Sequence, residues 1–254
     1  MKLEAFIIHL QRAEGRRAQV SELFRQIAPL PVEILDAVDG MSLTREEIEH
    51  VYRPELLKPL YPFALRPAEI ACFLSHRKAW RQIVDRGLDA ALVLEDDISI
   101  DPVIFGNALR LAQSRCDGSS ATMIQFGLRP PRGRGTVIAS DGETRIVCPQ
   151  TVMLGAQAQL VSREAAKRLL ASSEIFDRPV DVLFQMFWLT GVHPLAAVPS
   201  GVFSRSAKVG GTTIHAPKPL LERVYREWQR YRFRSQTRKL SRLHGGAGET
   251  DKAA

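Results

Sequence analysis

The stretch that decides the fold is residues 90–97, Ala-Ala-Leu-Val-Leu-Glu-Asp-Asp. The uninterrupted apolar run predicts a buried β-strand, and three consecutive carboxylates end it. Ligands bind at the carboxyl ends of strands in an open α/β sheet. Because side chains alternate along a strand, we expect Glu95 and Asp97 to share one side while Asp96 faces away. Clustered carboxylates repel one another, and a hard cation such as Mg²⁺ or Mn²⁺ relieves that repulsion. On residues alone, a turn or helix cap built from acids is the alternative.

Strands and helices alternate on both sides of this stretch. Before it, the patterns predict strands over 3–10 and 32–38, and helices over 12–27, from Thr44, and over 67–86. After it, they predict helices over 102–114, over 162–172 and after Pro179, strands over 122–128, 144–148, 152–161 and 195–198, and a mobile loop over 129–142. This alternation predicts an α/β domain, with a mixed, mostly parallel central sheet flanked by helices.

Composition limits the class of protein and its partners. Among 254 residues, 45% are hydrophobic and 25% are charged, which excludes global disorder. Lys and Arg number 35 against 28 Asp and Glu, so the net charge of +7 suits nucleic acid, a nucleotide-sugar phosphate or an acidic membrane surface without choosing among them. Three widely spaced cysteines favour a reducing compartment. No apolar run reaches the roughly 18 residues of a membrane span, so we expect a cytoplasmic protein that rests on a membrane.

Polar residues interrupt the predicted helix over 67–86. Glu69, Cys72 and His76 follow one stripe at spacings of three and four. Ser75 does not form a nucleophile–base pair with His76 on spacing alone, since adjacent helical residues point about 100° apart. A structural histidine inside the core is the alternative to a functional one.

Basic residues cluster at two other places. Arg12, Arg16 and Arg17 follow the first strand, where they fit either phosphate binding or a solvated face. Residues 220–243 hold eight Lys or Arg with aromatic residues among them, which fits an interfacial helix on an anionic bilayer or a helix packed on the domain. Gly210-Gly211 is weak evidence for a phosphate loop. We expect a domain over 1–216, a basic amphipathic helical segment over 217–244 and a disordered tail over 245–254.

Four blocks in one order resemble a known family. They are Ile7–Leu10 with the arginines that follow, Asp36-Ala-Val-Asp-Gly40, Glu69-Ile-Ala-Cys-Phe-Leu-Ser-His-Arg77, and Leu92-Val-Leu-Glu-Asp-Asp97. The series resembles the glycosyltransferase family 25 lipooligosaccharide-biosynthesis enzymes, relatives of the collagen galactosyltransferases. The helix block joined to the acidic block is its most specific part. Weaker matches follow at 155–162 and 179–181.

The resemblance implies a GT-A-like fold and an inverting transfer of a sugar, with galactose expected, from a UDP-sugar donor. It also implies Mn²⁺ or Mg²⁺ and a glycolipid or glycan acceptor such as lipooligosaccharide or lipopolysaccharide. Asp97 and Glu95 would hold the metal, and Asp181 is our expected general base, with an ordinary acid at a helix start as the alternative. Donor contacts are expected from His9, Arg12, Arg17, Asp39, Glu69, Ser75, His76, Glu95 and Asp96.

Two positions depart from the pattern of this family. His9 stands where asparagine is frequent, which concerns contacts to uracil, and Gln159 stands where an aromatic residue is common, which concerns the choice of sugar or acceptor. Two rival functions stay open. One is a metal-dependent phosphohydrolase or nuclease, although no nucleic-acid partner is expected, and the other is a catalytically silent UDP-sugar-binding protein of the same fold.

Overall fold

A computed structural model describes residues 1–205 and 220–245, with the side chains of 220–224 excepted. Its strands are β1 (Leu3–His9), β2 (Val32–Asp36), β3 (Ala90–Glu95), β4 (Ile98–Ile100), β5 (Met123–Gln125), β6 (Gly135–Asp141), β7 (Thr144–Pro149), β8 (Ala158–Ser162), β9 (Leu195–Val198) and β10 (Val202–Ser204). Its helices are α1 (Arg17–Gln26, after a 3₁₀ turn at Glu14–Arg16), α2 (Arg45–Val51), α3 (Pro67–Asp85), α4 (Pro102–Gln113), α5 (Arg163–Ala171), α6 (Val180–Phe184), α7 (Phe187–Thr190) and α8 (Leu220–Gly245).

Eight strands form the central sheet in the order β2-β1-β3-β8-β5-β9-β7-β6. β1 pairs in parallel with β2 and β3, and β5 pairs in parallel with β9. β8 and β7 run antiparallel to both of their neighbours, so the other six strands point the same way. The predicted α/β class with a mixed, mostly parallel sheet flanked by helices is therefore confirmed.

Helices cover both faces of the sheet because β3 is apolar on both. Ala91 and Val93 belong to the core under α3 and α5, whereas Leu92 and Leu94 belong to the core under α1 and α4. All four side chains are fully buried. Burying a side chain of this size contributes about 1.5–3 kcal/mol, so this strand anchors the acids that follow it.

The prediction of a loop over 129–142 is wrong for the second half of that range. There β6 pairs with β7 across a turn at Gly142. β6 is an edge strand with almost every residue exposed, so it lacks the buried alternation that marks a strand in sequence. The predicted strand over 152–161 begins only at Ala158, and the predicted helix over 12–27 begins at Arg17. The short β4–β10 pair was not predicted.

Helix α8 lies against the domain through one side of its surface. Phe233, Thr237 and Ser241 are buried there, and Ser241 Oγ donates to the carbonyl of Gln150 at 2.6 Å. No helix within the described ranges 1–205 and 220–245 is both long and apolar enough to cross a membrane. Gly210-Gly211 and the predicted tail after Gly245 lie outside the described residues.

Candidate active site

The carboxyl ends of β1, β2 and β3 meet at one edge of the sheet. His9 lies opposite Asp36, and Ile8 lies opposite Glu95. Asp96 and Asp97 then form the turn that leads into β4. The parallel register therefore brings His9 and the acidic triplet together, although 87 positions of sequence separate His9 from Asp96.

Asp96 is buried and joins this turn to β1. Its Oδ2 lies 2.6 Å from His9 Nδ1, and its Oδ1 accepts from Arg16 Nη1 at 2.7 Å. Burial opposes the charge on Arg16, but the hydrogen bond and charge of Asp96 outweigh that effect and raise the pKa of the guanidinium. Because both carboxylate oxygens are engaged, Asp96 holds the site together rather than presenting itself to a cation.

Glu95 points to the other side of β3, towards α3. Its Oε1 lies 3.0 Å from His76 Nε2 and 3.9 Å from Cys72 Sγ. Cys72 and His76 project from successive turns of α3, where a spacing of four residues places them on one face. His76 has no exposed surface, so this buried ring is held directly behind the carboxylate.

Gln159 on β8 fixes the tautomer of His76. Its Nε2 lies 3.2 Å from His76 Nδ1 and donates to the carbonyl of Ala156 at 3.1 Å. The second contact fixes the amide orientation, since two oxygens facing each other would repel. The amide N–H can only donate, so Nδ1 of the neutral ring accepts, and the ring proton lies on Nε2 facing Glu95. Gln159, one of the two residues that depart from the family pattern, is therefore a positioning residue for His76.

Asp181 enters the same region from the start of α6. Its Oδ2 accepts from the main-chain N–H of Gly155 at 3.1 Å. Gly155 has a φ of +114°, a backbone conformation that residues with a side chain rarely adopt, so a substitution here would strain the loop that holds Asp181. Burial, followed by the charge of Glu95, raises the pKa of Asp181. A carboxyl held in this way is a better proton acceptor than an exposed one.

The thiol of Cys72 lies close to the acids of this region, and they affect its pKa. The residue as a whole is exposed, but its sulfur atom is largely desolvated and lies 3.9 Å from Glu95 Oε1. This desolvation, with the charges of Glu95 and Asp181, raises the pKa of the thiol. The thiol therefore stays protonated at neutral pH, which makes it a poor nucleophile.

The other predicted donor-binding residues divide into two groups. Asp39 accepts from Arg12 Nε at 2.6 Å and Nη2 at 3.1 Å, and the hydrogen bonds from Arg12 and the Met41 N–H lower the pKa of Asp39. Ser75 Oγ accepts from the Val38 N–H at 2.8 Å and so ties α3 to the loop after β2. These contacts bring the Asp36–Gly40 block beside the acidic edge.

Glu69 and Arg17 have local contacts. Glu69 Oε2 accepts from the Arg66 N–H at 2.8 Å and completes the first turn of α3. Arg17 lies 3.5 Å from Glu14 and its side chain is exposed. Neither contact reaches the acidic edge, and donor binding by these two residues stays a prediction.

The carboxylates at this edge are chemically suited to a hard divalent cation. The carboxylate oxygens of Glu95 and Asp97 are the donors that Mg²⁺ and Mn²⁺ prefer. Cys72, His76 and Glu95 also place one ligand atom each within 4.8 Å of one another. That set would suit a softer ion, but it requires the thiolate that burial disfavours.

Sequence reasoning missed two residues that shape the site. Asp177 and Arg178 are fully buried as an ion pair with a 2.6 Å contact, just before α6. Arg178 Nη2 donates to the carbonyls of Leu57 and Pro59, and Asp177 Oδ2 accepts from the Leu57 N–H. Their partners lie some 120 positions away, and no local pattern marks such a contact.

The fold is an α/β sheet that brings acids and histidines together at the carboxyl ends of its strands. The sequence model described as "Glycosyltransferase family 25 (LPS biosynthesis protein)" matches residues 2–126, just under half of the chain, and this part of the chain resembles glycosyltransferase family 25. The match covers β1 to β5, including the Asp36–Gly40 loop, α3 and the acidic triplet.

Curated relatives agree with this assignment. A glycosyltransferase 25 family member of Drosophila pseudoobscura pseudoobscura is 35% identical over 48% of this chain and 20% of its own length. Procollagen galactosyltransferase 1 of Danio rerio is 36% identical over 42% of this chain and 18% of its own. A mouse protein named inactive glycosyltransferase 25 family member 3 is 27% identical over 77% of this chain and 36% of its own. The chain thus spans about a fifth of the length of the first relatives that it matches.

Proposed function

We propose that the protein transfers a sugar, with galactose expected, from a UDP-sugar to a surface-glycan acceptor such as lipooligosaccharide or lipopolysaccharide. The observation that carries the proposal is that one loop holds two carboxyl groups in different environments. The Gln157 carbonyl accepts from the Glu95 N–H at 2.8 Å, and the Gly155 N–H donates to Asp181 Oδ2 at 3.1 Å. Carboxyl groups whose environments differ in this way take different roles in one reaction. The family supplies the reaction class.

On the donor side, Glu95 and Asp97 would hold Mn²⁺ or Mg²⁺. Such a cation, when bound, neutralises charge on the diphosphate of the leaving UDP. His76 donates to Glu95 and holds that carboxylate in place, while Gln159 holds His76. Asp96 fixes the same turn from the opposite side through His9 and Arg16. The expected result is a rigid edge that needs little rearrangement when the donor arrives.

On the acceptor side, Asp181 would take the proton of the attacking hydroxyl. The acceptor oxygen bonds to the anomeric carbon as the bond from that carbon to the UDP oxygen breaks, so the configuration inverts. The electron pair of the broken bond leaves with UDP, and the proton remains on Asp181. The Gly155 N–H orients the carboxyl group for this step.

Replacing Asp97 with asparagine tests the donor side of the proposal. The change keeps the shape of the side chain and removes one negative charge from the proposed metal site. We expect turnover to fall by about 10²-fold or more at saturating Mn²⁺, with an unchanged circular dichroism spectrum. The assay is UDP release and sugar transfer across a panel of UDP-sugars, with Asp141→Asn on the exposed strand β6 as the control.

Three outcomes of this assay would contradict the proposal. Near-wild-type activity in Asp97→Asn would remove the metal role of Asp97. Cleavage of nucleic acid or a phosphomonoester in place of sugar transfer would favour the hydrolase. UDP-sugar binding without turnover by the wild-type protein would favour the silent binding protein, a state that the name of the mouse relative makes worth testing.

We further propose that the protein works at the cytoplasmic face of a membrane and binds its anionic surface through the outer face of α8. Tyr231, Arg238 and Arg242 are exposed there, turned away from the buried Phe233. Each basic residue near an anionic surface contributes about 1 kcal/mol, which screening by salt reduces. A lipid-linked acceptor is confined to that surface, so binding there would bring enzyme and acceptor together.

Arg238→Glu combined with Arg242→Glu is expected to reduce binding to phosphatidylglycerol-containing vesicles by about tenfold or more at low salt. Co-sedimentation at low and high salt measures the effect. The control is Arg110→Glu with Arg115→Glu near α4, which makes the same change in charge on another surface. Equal losses in both variants, or binding that ignores salt, would remove the membrane role of this face.

A further inference from the structure

A groove of about 610 Å³ runs between α8 and the loop over 55–62. The acids and histidines of the strand edge do not line it. Its walls combine aromatic, basic and amide side chains, notably Tyr61, Trp228, Gln229, Arg232, Gln236 and Lys239. A groove of this volume accommodates one or two sugar rings, within the size range of small-molecule sites.

Helical geometry separates this groove from the other surfaces of α8. At 100° per residue, Trp228, Arg232 and Lys239 fall on one side of the helix, beside the buried face around Phe233. Arg234 and Arg238 fall on the opposite side. The groove therefore faces away from Arg234 and Arg238, and Lys239 borders both the groove and the outer face proposed for membrane contact.

The aromatic wall offers an exposed ring surface. Trp228 is 49% exposed and Tyr225 is 57% exposed, and their rings stack with centroids 5.9 Å apart. Arg232 places its guanidinium carbon 4.6 Å from the Trp228 centroid. Tyr225 and Arg232 contact the Trp228 ring, so the surface left open combines exposed ring atoms of both aromatic residues with hydrogen-bond donors beside them, which suits a sugar ring with apolar C–H faces and polar edges.

The charges on the walls favour an anion. Lys58, Arg232 and Lys239 line the groove, against the single acid Glu55. Arginine and lysine both bind phosphate and carboxylate groups, with arginine offering two parallel donors. The groove therefore combines a stacking surface with an excess of positive charge.

The floor of the groove is tied to the proposed catalytic region. Tyr61 packs edge-to-face on Phe233 with centroids 5.4 Å apart, so it joins α8 to the loop. Burial, then the charges of Glu69 and Asp181, raise the pKa of Tyr61 to about 12, so this ring lies within electrostatic range of both acids. Arg178, three residues before Asp181, donates to the carbonyls of Leu57 and Pro59 beneath the groove.

We propose that this groove binds an anionic saccharide, the glycan chain of the acceptor, with a sugar ring packed against the exposed atoms of Tyr225 and Trp228 and its phosphate or carboxylate group paired with Arg232 and Lys239. The statement that this saccharide is the acceptor rests on the proposed function. The ligand class itself rests on the stacked rings and the charges.

The test measures binding of a soluble saccharide without any donor or membrane. The probe is a delipidated, phosphorylated core oligosaccharide of rough lipopolysaccharide, compared with the same oligosaccharide after chemical dephosphorylation. Isothermal titration calorimetry gives the affinity. We expect the phosphorylated probe to bind about tenfold or more tightly than the dephosphorylated one, because the charged partners lose their anion.

Matched variants on α8 locate the binding. Arg232→Glu is expected to weaken binding of the phosphorylated probe by about tenfold or more, and Trp228→Ala by a similar factor. Arg234→Glu makes the same change of charge two residues away on the opposite side, and is expected to change the affinity by less than about twofold. Circular dichroism at 222 nm checks that α8 is retained in each variant.

Several results would overturn the inference. They are absence of binding by either probe, equal losses in Arg232→Glu and Arg234→Glu, and competition by uridine monophosphate, which would make the groove a nucleotide site. Saccharide binding that persists while no sugar is transferred from any UDP-sugar would overturn the proposed function and leave the ligand class of the groove standing.

Discussion

Replacing Asp181 with asparagine is expected to lower kcat by about 10²–10⁴-fold, the contribution of a general base. Asparagine keeps the shape of the side chain, and its carbonyl oxygen still accepts from the Gly155 N–H, but it cannot take a proton. The KM for the UDP-sugar should change little, since the proposed donor ligands are elsewhere. Steady-state kinetics with varied donor and acceptor separates the two effects.

The same substitution is expected to raise the melting temperature at neutral pH. Burial raises the pKa of Asp181 above its value in the unfolded chain, so the charged form is disfavoured by folding. The stability that such a group contributes is fully present below the unfolded pKa and is lost as the pH rises through the folded pKa. The increase in melting temperature caused by Asp181→Asn should therefore be present at neutral pH and disappear in acid. Calorimetry at neutral pH and at pH 4 measures the difference.

The pH dependence of the rate provides an independent check. The base must be ionised, so wild-type kcat is expected to fall as the pH drops through the raised pKa of Asp181, and Asp181→Asn should lose this acidic limb. Asp141→Asn on the exposed strand β6 is the control and should change neither kcat nor the melting temperature. An unchanged profile with unchanged kcat in Asp181→Asn would place the base elsewhere, and a lower melting temperature would favour a structural role.

Local patterns predicted the sheet edge well. The apolar run of β3 is continuous, and the apolar residues of α3 recur at helical spacing. Thr44 caps α2 through a local hydrogen bond from its own first turn. These features depend on neighbours within about four positions, which sequence periodicity records directly. The blocks at 36–40 and 69–77, which carry the resemblance to the family, also lie beside the acidic edge.

Contacts between distant positions were not predictable in the same way. The link from Gln159 to His76 joins β8 to α3 across 83 positions, and nothing near either residue marks the partner. β6 was missed because an exposed edge strand needs no apolar alternation. The ion pair of Asp177 and Arg178 looks in sequence like ordinary surface charge, yet both side chains are fully buried.

Replacing Arg178 with methionine is expected to lower the free energy of unfolding by about 3–5 kcal/mol, because it leaves the buried carboxylate of Asp177 without its partner. The carbonyls of Leu57 and Pro59 would also lose their donor. Urea unfolding measures the change as a shift in midpoint at constant slope. The control, Arg45→Met, breaks the exposed pair with Glu49 on α2 and should cost only about 0.3–0.5 kcal/mol.

A double variant separates the lost ion pair from lost packing. If the unpaired charge causes the loss, Asp177→Leu combined with Arg178→Met should recover part of the stability, since an apolar pair of similar volume needs no counter-charge. A loss below about 1 kcal/mol in Arg178→Met would contradict the structural role assigned to this pair. Because Arg178 joins the 57–59 loop to the start of α6, the single variant should also weaken oligosaccharide binding in the groove at temperatures where the protein remains folded. Retention of full affinity would show that the loop keeps its shape without this arginine.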